Sequence, residues 1–487
     1  MGRGGMFLGI DLGTSSLKAL VLDVDGSIVG TGSAPYPLLT PQPGWAEAEP
    51  EAWWEAAAIA VREAAGGHAS EIAAIGLSGQ MHGVVLSDEV GHALRPAIIW
   101  ADSRTRKQLA AYSELSPELR RKLGNPVATG MAGPTLLWLK EHERQLYRRA
   151  QWALQPKDWL RLRMVHEAAT EPSDASATLL YDMTTDYWAK DLLEALDLRL
   201  DFLAPIRESV EICGILTGSA AEHLGVRPNL PVVGGAADAA AAAIAGGLID
   251  PGPVQLTIGT GAQVVAPRDR LAIDSTARTH LYRAAAPDRW YAMAAMQNAG
   301  IALEWVRTVL RASWDEVYDE AFAVAPGAEG LLFLPYLTGE RTPYFDPDAR
   351  GAWVGLRLVH TRGHLLRAAL EGVAFAVRQG VEALLATGVP ATELRLAGGG
   401  SFDPRWRHLL ADVLEQPLLA TATSSASSLG AALLAGVGFG AWPDAHRVAA
   451  LAAPPTLVAT PGPSSEAYVE PYLRYRQLYM PIAAAMS

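Results

Sequence analysis

The alternation of apolar and polar positions is clearest at the start of the chain. An apolar run, Phe7-Leu-Gly-Ile, ends at Asp11, and Gly13, Thr14, Ser15 and Ser16 break it before a second apolar run over 17–22. Two short apolar runs joined by small polar residues predict a β-hairpin, and Asp25-Gly26 predicts another tight turn. Trp53, Trp54, Ala57 and Val61 fall at helical spacing, with Pro50 suited to a first turn and Gly66-Gly67 to a stop, so a helix is expected over 50–65. A strand over 72–77 follows and runs into Ser-Gly-Gln-Met-His-Gly83.

The opening pattern returns in the second half. The stretch 230–238 is an apolar run ending in Gly-Gly-Ala-Ala-Asp238, 254–261 ends in Thr-Ile-Gly-Thr-Gly261, and 394–401 ends in Ala-Gly-Gly-Gly-Ser401. A helix over 364–386 precedes the last, with Leu366, Leu370, Val373, Val377 and Leu384 on one face. Two strand–Gly/Thr–strand segments half a chain apart predict a duplicated α/β domain. The seam is expected in the Gly/Asp/Pro stretch 246–253, which divides the chain into 1–247 and 248–487. Segment 454–463 reads as a loop, and a last helix is expected from Pro471 to about Met480.

Bulk properties narrow the class. The 487 residues exceed one hydrophobic core, so two large domains are expected. A formal charge of −12 excludes a general polyanion binder, and nucleic acid is not an expected partner. The longest apolar run, 236–249, is interrupted by Asp238 and is too short to span a bilayer, and the N-terminus lacks an apolar signal region, so no membrane partner is expected. A single cysteine, Cys213, fits a reducing compartment, and the whole reads as cytoplasmic.

Three small-residue loops can face a nucleotide. Gly13, Thr14 and Ser15 offer backbone N–H groups and hydroxyls beside Asp11, a carboxylate at a strand end that can hold Mg²⁺ through water. Gly259, Thr260 and Gly261 form a second such turn, and the two could clamp the β- and γ-phosphates of ATP from opposite sides. Gly398, Gly399, Gly400 and Ser401 leave bare backbone against which adenine could lie. No Gly-x-x-x-x-Gly-Lys-Ser/Thr exists, which excludes a P-loop enzyme, and no complete Gly-x-Gly-x-x-Gly opens a helix.

Phosphorylating a hydroxyl calls for a carboxylate that orients the acceptor and takes its proton. Asp238 is the candidate, because it stands alone among small residues at a helix start. With Asp11 it forms the expected catalytic and magnesium-side pair. For the acceptor, Gln80, Met81 and His82 follow one strand and Trp100, Asp102 and Arg104 follow another, offering amide, imidazole, carboxylate, guanidinium and an aromatic face. A buried histidine and a local Asp102–Arg104 ion pair are the plainer readings of the same residues.

At these residues the chain resembles the FGGY carbohydrate kinases over nearly its whole length. The resemblance is carried by Gly9-Ile-Asp-Leu-Gly-Thr-Ser15, Gly79-Gln-Met-His-Gly83, Trp100-x-Asp-x-Arg104, Leu154-x-Pro-Lys-Asp-x-Leu-Arg161 and Phe333-Leu-Pro-Tyr-Leu-Thr-Gly-Glu-Arg-Thr-Pro343. It implies two ribonuclease-H-like domains of the actin-like ATPase type with the active site in the cleft between them. It also implies ATP-dependent phosphorylation of a ketopentose, D-xylulose at its 5-hydroxyl. Asp238 matches the family's base, Met81 and His82 its ketose-binding pair, Asp11 its phosphate- and magnesium-side aspartate, Thr14, Ser15 and Gly259 to Gly261 its phosphate loops, and Gly398 to Gly400 its adenosine motif. The Phe333–Pro343 segment is expected to be interdomain architecture. Dimers are common in the family, so a homodimer is the assembly it suggests.

Five positions depart from the family pattern. Thr135 replaces a usual Lys, Ala239 an Asn, Gly261-Ala262 a Ser-Gly in the second phosphate loop, and Ala101 an Asn. The expected mechanism binds the sugar in the N-terminal domain and ATP with magnesium mainly in the C-terminal one, with closure excluding water. Ribulose, L-xylulose and glycerol are alternative acceptors. A non-catalytic sugar or nucleotide sensor of the same fold, and an actin-like filament or chaperone, are the readings from other classes.

Overall fold

The computed structural model describes residues 5–399, 403–421 and 425–486. Two seven-stranded sheets organise it. In the first, the strand Met6–Leu12 pairs antiparallel with Ser16–Leu22, which pairs antiparallel with Ile28–Pro35. On its other side Met6–Leu12 runs parallel to Ile72–Gly79, which runs parallel to Pro231–Val233. In the second, Gly252–Ile258 pairs antiparallel with Ala262–Arg268, which pairs antiparallel with Trp290–Met296. Gly252–Ile258 then runs parallel to Ala391–Ala397, and that strand to Leu418–Ala420. Both sheets thus follow one plan, an antiparallel meander of three with two parallel strands beyond the first. This is the duplicated α/β unit that the repeated strand–Gly/Thr–strand segments predict.

The predicted elements fall where the patterns put them. The helix Pro50–Ala65 buries Trp53, Trp54, Ala57 and Val61 and ends at Gly66. Helix Arg362–Leu385 lays Leu366, Leu370, Val373, Val377 and Leu384 against the second sheet. Two segments differ from expectation: the last helix runs over Val469–Met486, past the expected end near Met480 and through Pro481. Within 454–463 the residues Thr456–Ala459 form an edge strand, paired antiparallel with Leu418–Ala420. Four residues between prolines carry no alternation to read, and the pairing comes from the waiting sheet edge.

The helix Ala426–Phe439 follows the last parallel strands in sequence, yet it packs on the first sheet. Its Ala432 and Leu434 share a core with Phe7, Leu20, Ala74, Ala240 and Ile244. The approach is backbone to backbone: a Cβ on Gly9 would stand 1.9 Å from the carbonyl oxygen of Ser428, and one on Gly430 would stand 1.9 Å from that of Ala241. Glycine is therefore required at both crossings. Helices Ala426–Phe439 and Asp238–Ala245 lie together at the join of the two halves.

Candidate active site

Three elements converge on Asp11. It lies at the end of the central strand Met6–Leu12, directly beside Ser78 on the neighbouring strand, and the Ser78 hydroxyl donates to its Oδ1 at 2.8 Å. Burial nevertheless holds the Asp11 carboxyl above its ordinary range. The turn after it is pinned from three sides. Gly13 N–H donates to Ser16 O at 3.1 Å, while the Gln80 side-chain amide (3.0 Å) and the Tyr36 hydroxyl both donate to Gly13 O. Trp100 Nε1–H donates to the Thr14 hydroxyl at 2.9 Å. Ser15 stays exposed. A pinned turn with free small groups is the preorganised form that a phosphate site needs.

The second small-residue turn is built likewise. Gly259 N–H donates to Gly261 O at 2.8 Å, and the N–H groups of Ala299, Gly300 and Ile301 donate to the carbonyls of Thr260 and Gly259. Gly259 and Thr260 remain exposed. Gly398 and Gly399 follow the strand Ala391–Ala397 and are exposed. Gly398 has φ +92° and stands so close to Ile258 that a Cβ would meet its carbonyl oxygen at 2.3 Å. Gly400 and Ser401 lie outside the described residues.

Asp238 opens the helix Asp238–Ala245 after the two-residue strand Ala236–Ala237, which pairs with Ser78 and Gly79. Its Oδ1 accepts from Ala239 N–H at 2.7 Å. Burial and the neighbouring Asp11 charge push its carboxyl up to about 7. Two carboxylates in one desolvated site cannot both ionise cheaply, so the second proton leaves late. A carboxyl that titrates near neutrality is matched to taking a proton from a hydroxyl.

What holds Asp238 in place is a buried polar cluster. Lys157 Nζ lies 2.6 Å from Asp158, 3.0 Å from Asp174 and 3.2 Å from Glu171, all with wholly buried side chains. Glu171 accepts from Ser173, whose hydroxyl in turn accepts from Ala237 N–H at 2.9 Å, one residue before Asp238. Arg161 donates to Gly234 O at 2.6 Å on the same approach. The chain of hydrogen bonds therefore runs from the buried Lys157 to the backbone that aims the candidate base.

His82 sits in the left-handed region, φ 72°. Its Nδ1–H donates to Ala177 O at 2.8 Å, which leaves Nε2 as an acceptor in the neutral ring. Burial and the Arg341 charge push its pKa down to about 4, so the ring is neutral near pH 7. Met81 is buried with its sulfur 3.9 Å from the Tyr291 hydroxyl of the second half. Gln80 and Trp100 each give a side-chain N–H to the Gly13–Ser15 turn.

Asp102 and Arg104 form the local ion pair that is one of their two readings. Asp102 accepts from Ala46 N–H and from the Arg104 backbone and guanidinium, and Arg104 also pairs with Glu47. Both side chains are buried, and the guanidinium stacks 3.6 Å from the Trp45 ring centre. Most of their polar groups are directed at each other and at Glu47 and Ala46, which braces the Trp100 loop, while the Arg104 Nη1 is buried without a partner.

The second half also contributes side chains that the motif reading missed. The strand His280–Arg283 is docked onto the first half, where the Asn125 side chain donates to Leu281 O (2.8 Å) and accepts from Leu281 N–H (3.1 Å), as a strand partner would. It places Tyr282 6.1 Å from the His82 ring centre. Arg341 reaches 5.8 Å from the centre of the Trp100 ring. No spacing in the sequence marks Tyr282. Arg341 lay inside the segment read as architecture.

Family models match both halves of the chain. That for the N-terminal domain of the FGGY family of carbohydrate kinases matches residues 6–245, and that for its C-terminal domain matches 254–439. The chain belongs to the FGGY family of carbohydrate kinases. Among curated relatives, the xylulose kinase of Escherichia coli K12 is 36% identical over 433 residues, covering 88% of this chain and 89% of that protein. The gluconokinase of Bacillus subtilis 168 is 29% identical over 443 residues, covering 88% and 86%. Among solved structures, a xyloylose kinase from Brucella ovis superposes with a TM-score of 0.92 at 32% identity, over 99% of this chain and all of that one. The fold is accordingly the actin-like one, the enzyme is a sugar kinase that transfers phosphate to a hydroxyl, and ATP is its family's phosphoryl donor. No helix among the described residues is long and apolar enough to cross a membrane.

Proposed function

We propose that this FGGY kinase phosphorylates a ketopentose, D-xylulose first, on its 5-hydroxyl. The observation that carries the chemistry is Asp238, a carboxyl held near neutrality by burial and by Asp11 at the start of a helix. The acceptor identity is supported by the curated relatives that are xylulose kinases. In this reading Asp238 accepts the hydroxyl proton as that oxygen bonds to the γ-phosphorus, the bond to the β-phosphate oxygen breaks, and ADP leaves. Gly13 to Ser15 and Gly259 to Gly261 receive the phosphates, Gly398 and Gly399 lie on the adenosine side, and Met81 and His82 bind the ketose end. Residues 248–487 hold most of the nucleotide and 1–247 most of the acceptor, with Tyr282 and Arg341 completing the acceptor wall.

The donor set fits magnesium that arrives with the nucleotide. Asp11 and Asp238 form a desolvated pair whose repulsion a cation relieves, and among the described residues no cluster of three or more His, Cys, Asp or Glu provides a metal cage. Magnesium keeps several waters and leans on phosphate oxygens, so Asp11, with Asp238, would hold it through water. When bound it neutralises phosphate charge.

The test is a coupled assay for ADP with D-xylulose, L-xylulose, D-ribulose, L-ribulose, glycerol or no sugar. D-Xylulose-dependent turnover that disappears in Asp238→Ala is expected. Turnover retained in the variant would remove Asp238 as the base, and a clear preference for another acceptor would replace the substrate.

A further inference from the structure

The acceptor side of the cleft carries a cation that the first half of the chain does not supply. Arg341 comes from the loop beyond the strand Leu332–Leu334, and its backbone is anchored by its own N–H donating to Glu340 Oε1 at 2.8 Å. Its guanidinium has no hydrogen-bond or ion-pair partner among the described residues. Glu340 acts on it through charge alone, without a hydrogen bond to the guanidinium: Glu340 gives Oε1 to the N–H groups of Gln297 and Arg341 and turns its other oxygen toward Asn298. Around the guanidinium stand Trp100, His82, His280 and Tyr282, and none brings a negative charge. The His280 Nε2 and the Tyr282 hydroxyl are themselves buried without a partner. Arg341 is not among the charges acting on Asp11 or Asp238. The cleft therefore has two poles, an acidic one at Asp11–Asp238 and a cationic one at Arg341.

A half-buried guanidinium with no hydrogen-bonded counter-charge keeps its donors free for a ligand. We propose that Arg341 is the second anchor of the acceptor, binding the electron-rich oxygen at the end remote from the phosphorylated hydroxyl. The orientation rests on the kinase reading above, in which Asp238 marks the phosphorylated end. The planar fork of N–H donors suits a carbonyl with an adjacent hydroxyl, and equally the carboxylate of a sugar acid. His82 complements it, because its Nε2 can accept the proton of a neighbouring hydroxyl. A polyol lacking the carbonyl offers the fork only hydroxyl oxygens. Arg341 thereby reads the oxidation level of the far end of the acceptor, a specificity role for a segment expected to be architecture alone.

The test is calorimetric titration of the parent, Arg341→Met and Arg341→Lys with D-xylulose, xylitol and D-gluconate in the presence of ADP and magnesium. Losing a hydrogen bond to a charged group should weaken D-xylulose, and D-gluconate if the parent binds it, by about 10- to 100-fold in Arg341→Met, and xylitol by less than about 3-fold. Arg341→Lys, which keeps the charge and loses the fork, should fall between. ADP affinity within about twofold of the parent shows that both variants are folded. Equal weakening of all three acceptors, or weakened ADP with D-xylulose spared, overturns the proposal, the latter by placing Arg341 on the phosphate side. If Arg341-dependent binding is found without phosphoryl transfer, this proposal stands and the kinase substrate reading falls. If D-xylulose is phosphorylated and its binding ignores Arg341, this proposal falls alone.

Discussion

Asp238→Asn should cost the enzyme its chemistry and make the protein more stable. In the native state burial and Asp11 raise the Asp238 carboxyl from its ordinary value of 3.8 to about 7. Between those values the native chain holds a proton that the unfolded chain has released. Stability contributed at this residue therefore falls as pH rises from about 4 to about 7 and stays low above it. Asparagine keeps the oxygen that accepts from Ala239 N–H and carries no charge. At ~1.4 kcal/mol per pH unit, the variant should gain about 1.5 kcal/mol over the parent at pH 5 and up to about 4 kcal/mol at pH 8. Partial access of water to the carboxylate lowers both figures toward about half. Urea unfolding of both proteins at pH 5, 6, 7 and 8 measures the difference directly. Turnover should drop by about 10²- to 10⁴-fold, the usual yield of a positioned base. A stability difference that does not grow between pH 5 and pH 8, or a parent more stable at pH 8, would refute the desolvated-pair reasoning.

Other perturbations probe the surrounding construction. The apparent kcat/KM for the acceptor should rise with pH through about 7 and then level, as Asp238 ionises in the free enzyme; a profile already flat at pH 6 would contradict the assignment. Ser173→Ala removes the acceptor of Ala237 N–H, so kcat should fall by about 5- to 10-fold with KM for ATP unchanged and a stability loss of ~1 kcal/mol, readable by steady-state kinetics beside denaturant melts. Lys157→Met takes the cation from Asp174 and Glu171 and leaves Asp158 with Arg161 alone, and should cost about 3–5 kcal/mol, seen as a lowered urea midpoint at pH 7. A cavity of about 20 Å³ is lined by Gln155, Asp158 and Thr170, each with a buried polar atom lacking a partner; a crystal structure should show one ordered water there.

What could be read from the chain follows how local each determinant is. Asp11 and its turn, the helix 50–65 and Asp238 were legible because strand, break and cap signals lie within a few residues of one another. Asp102 and Arg104 were legible as a pair but not in purpose, since Glu47 and Ala46, which join that network, are more than fifty residues away. Tyr282 and Arg341 were not legible as wall residues at all. Their placement depends on Asn125 capturing Leu281 and on Glu340 anchoring its loop, and no periodicity encodes either contact. The strand Thr456–Ala459 is of the same kind, a product of the edge that it meets.

The crossing of the helix Ala426–Phe439 onto the first sheet bears on how the molecule can be taken apart. A cut at the 246–253 seam separates the two sheets cleanly on paper. It would also strip from the first sheet the helix whose backbone lies against Gly9, and leave Phe7, Leu20 and Ala240 facing solvent. The first fragment would then be an incomplete protein with a bare apolar face, and the second would carry a homeless helix. The halves suit complementation in trans, where one fragment supplies the missing cover of the other, better than expression as independent modules. In this architecture the gene is divisible at a point where the fold is not.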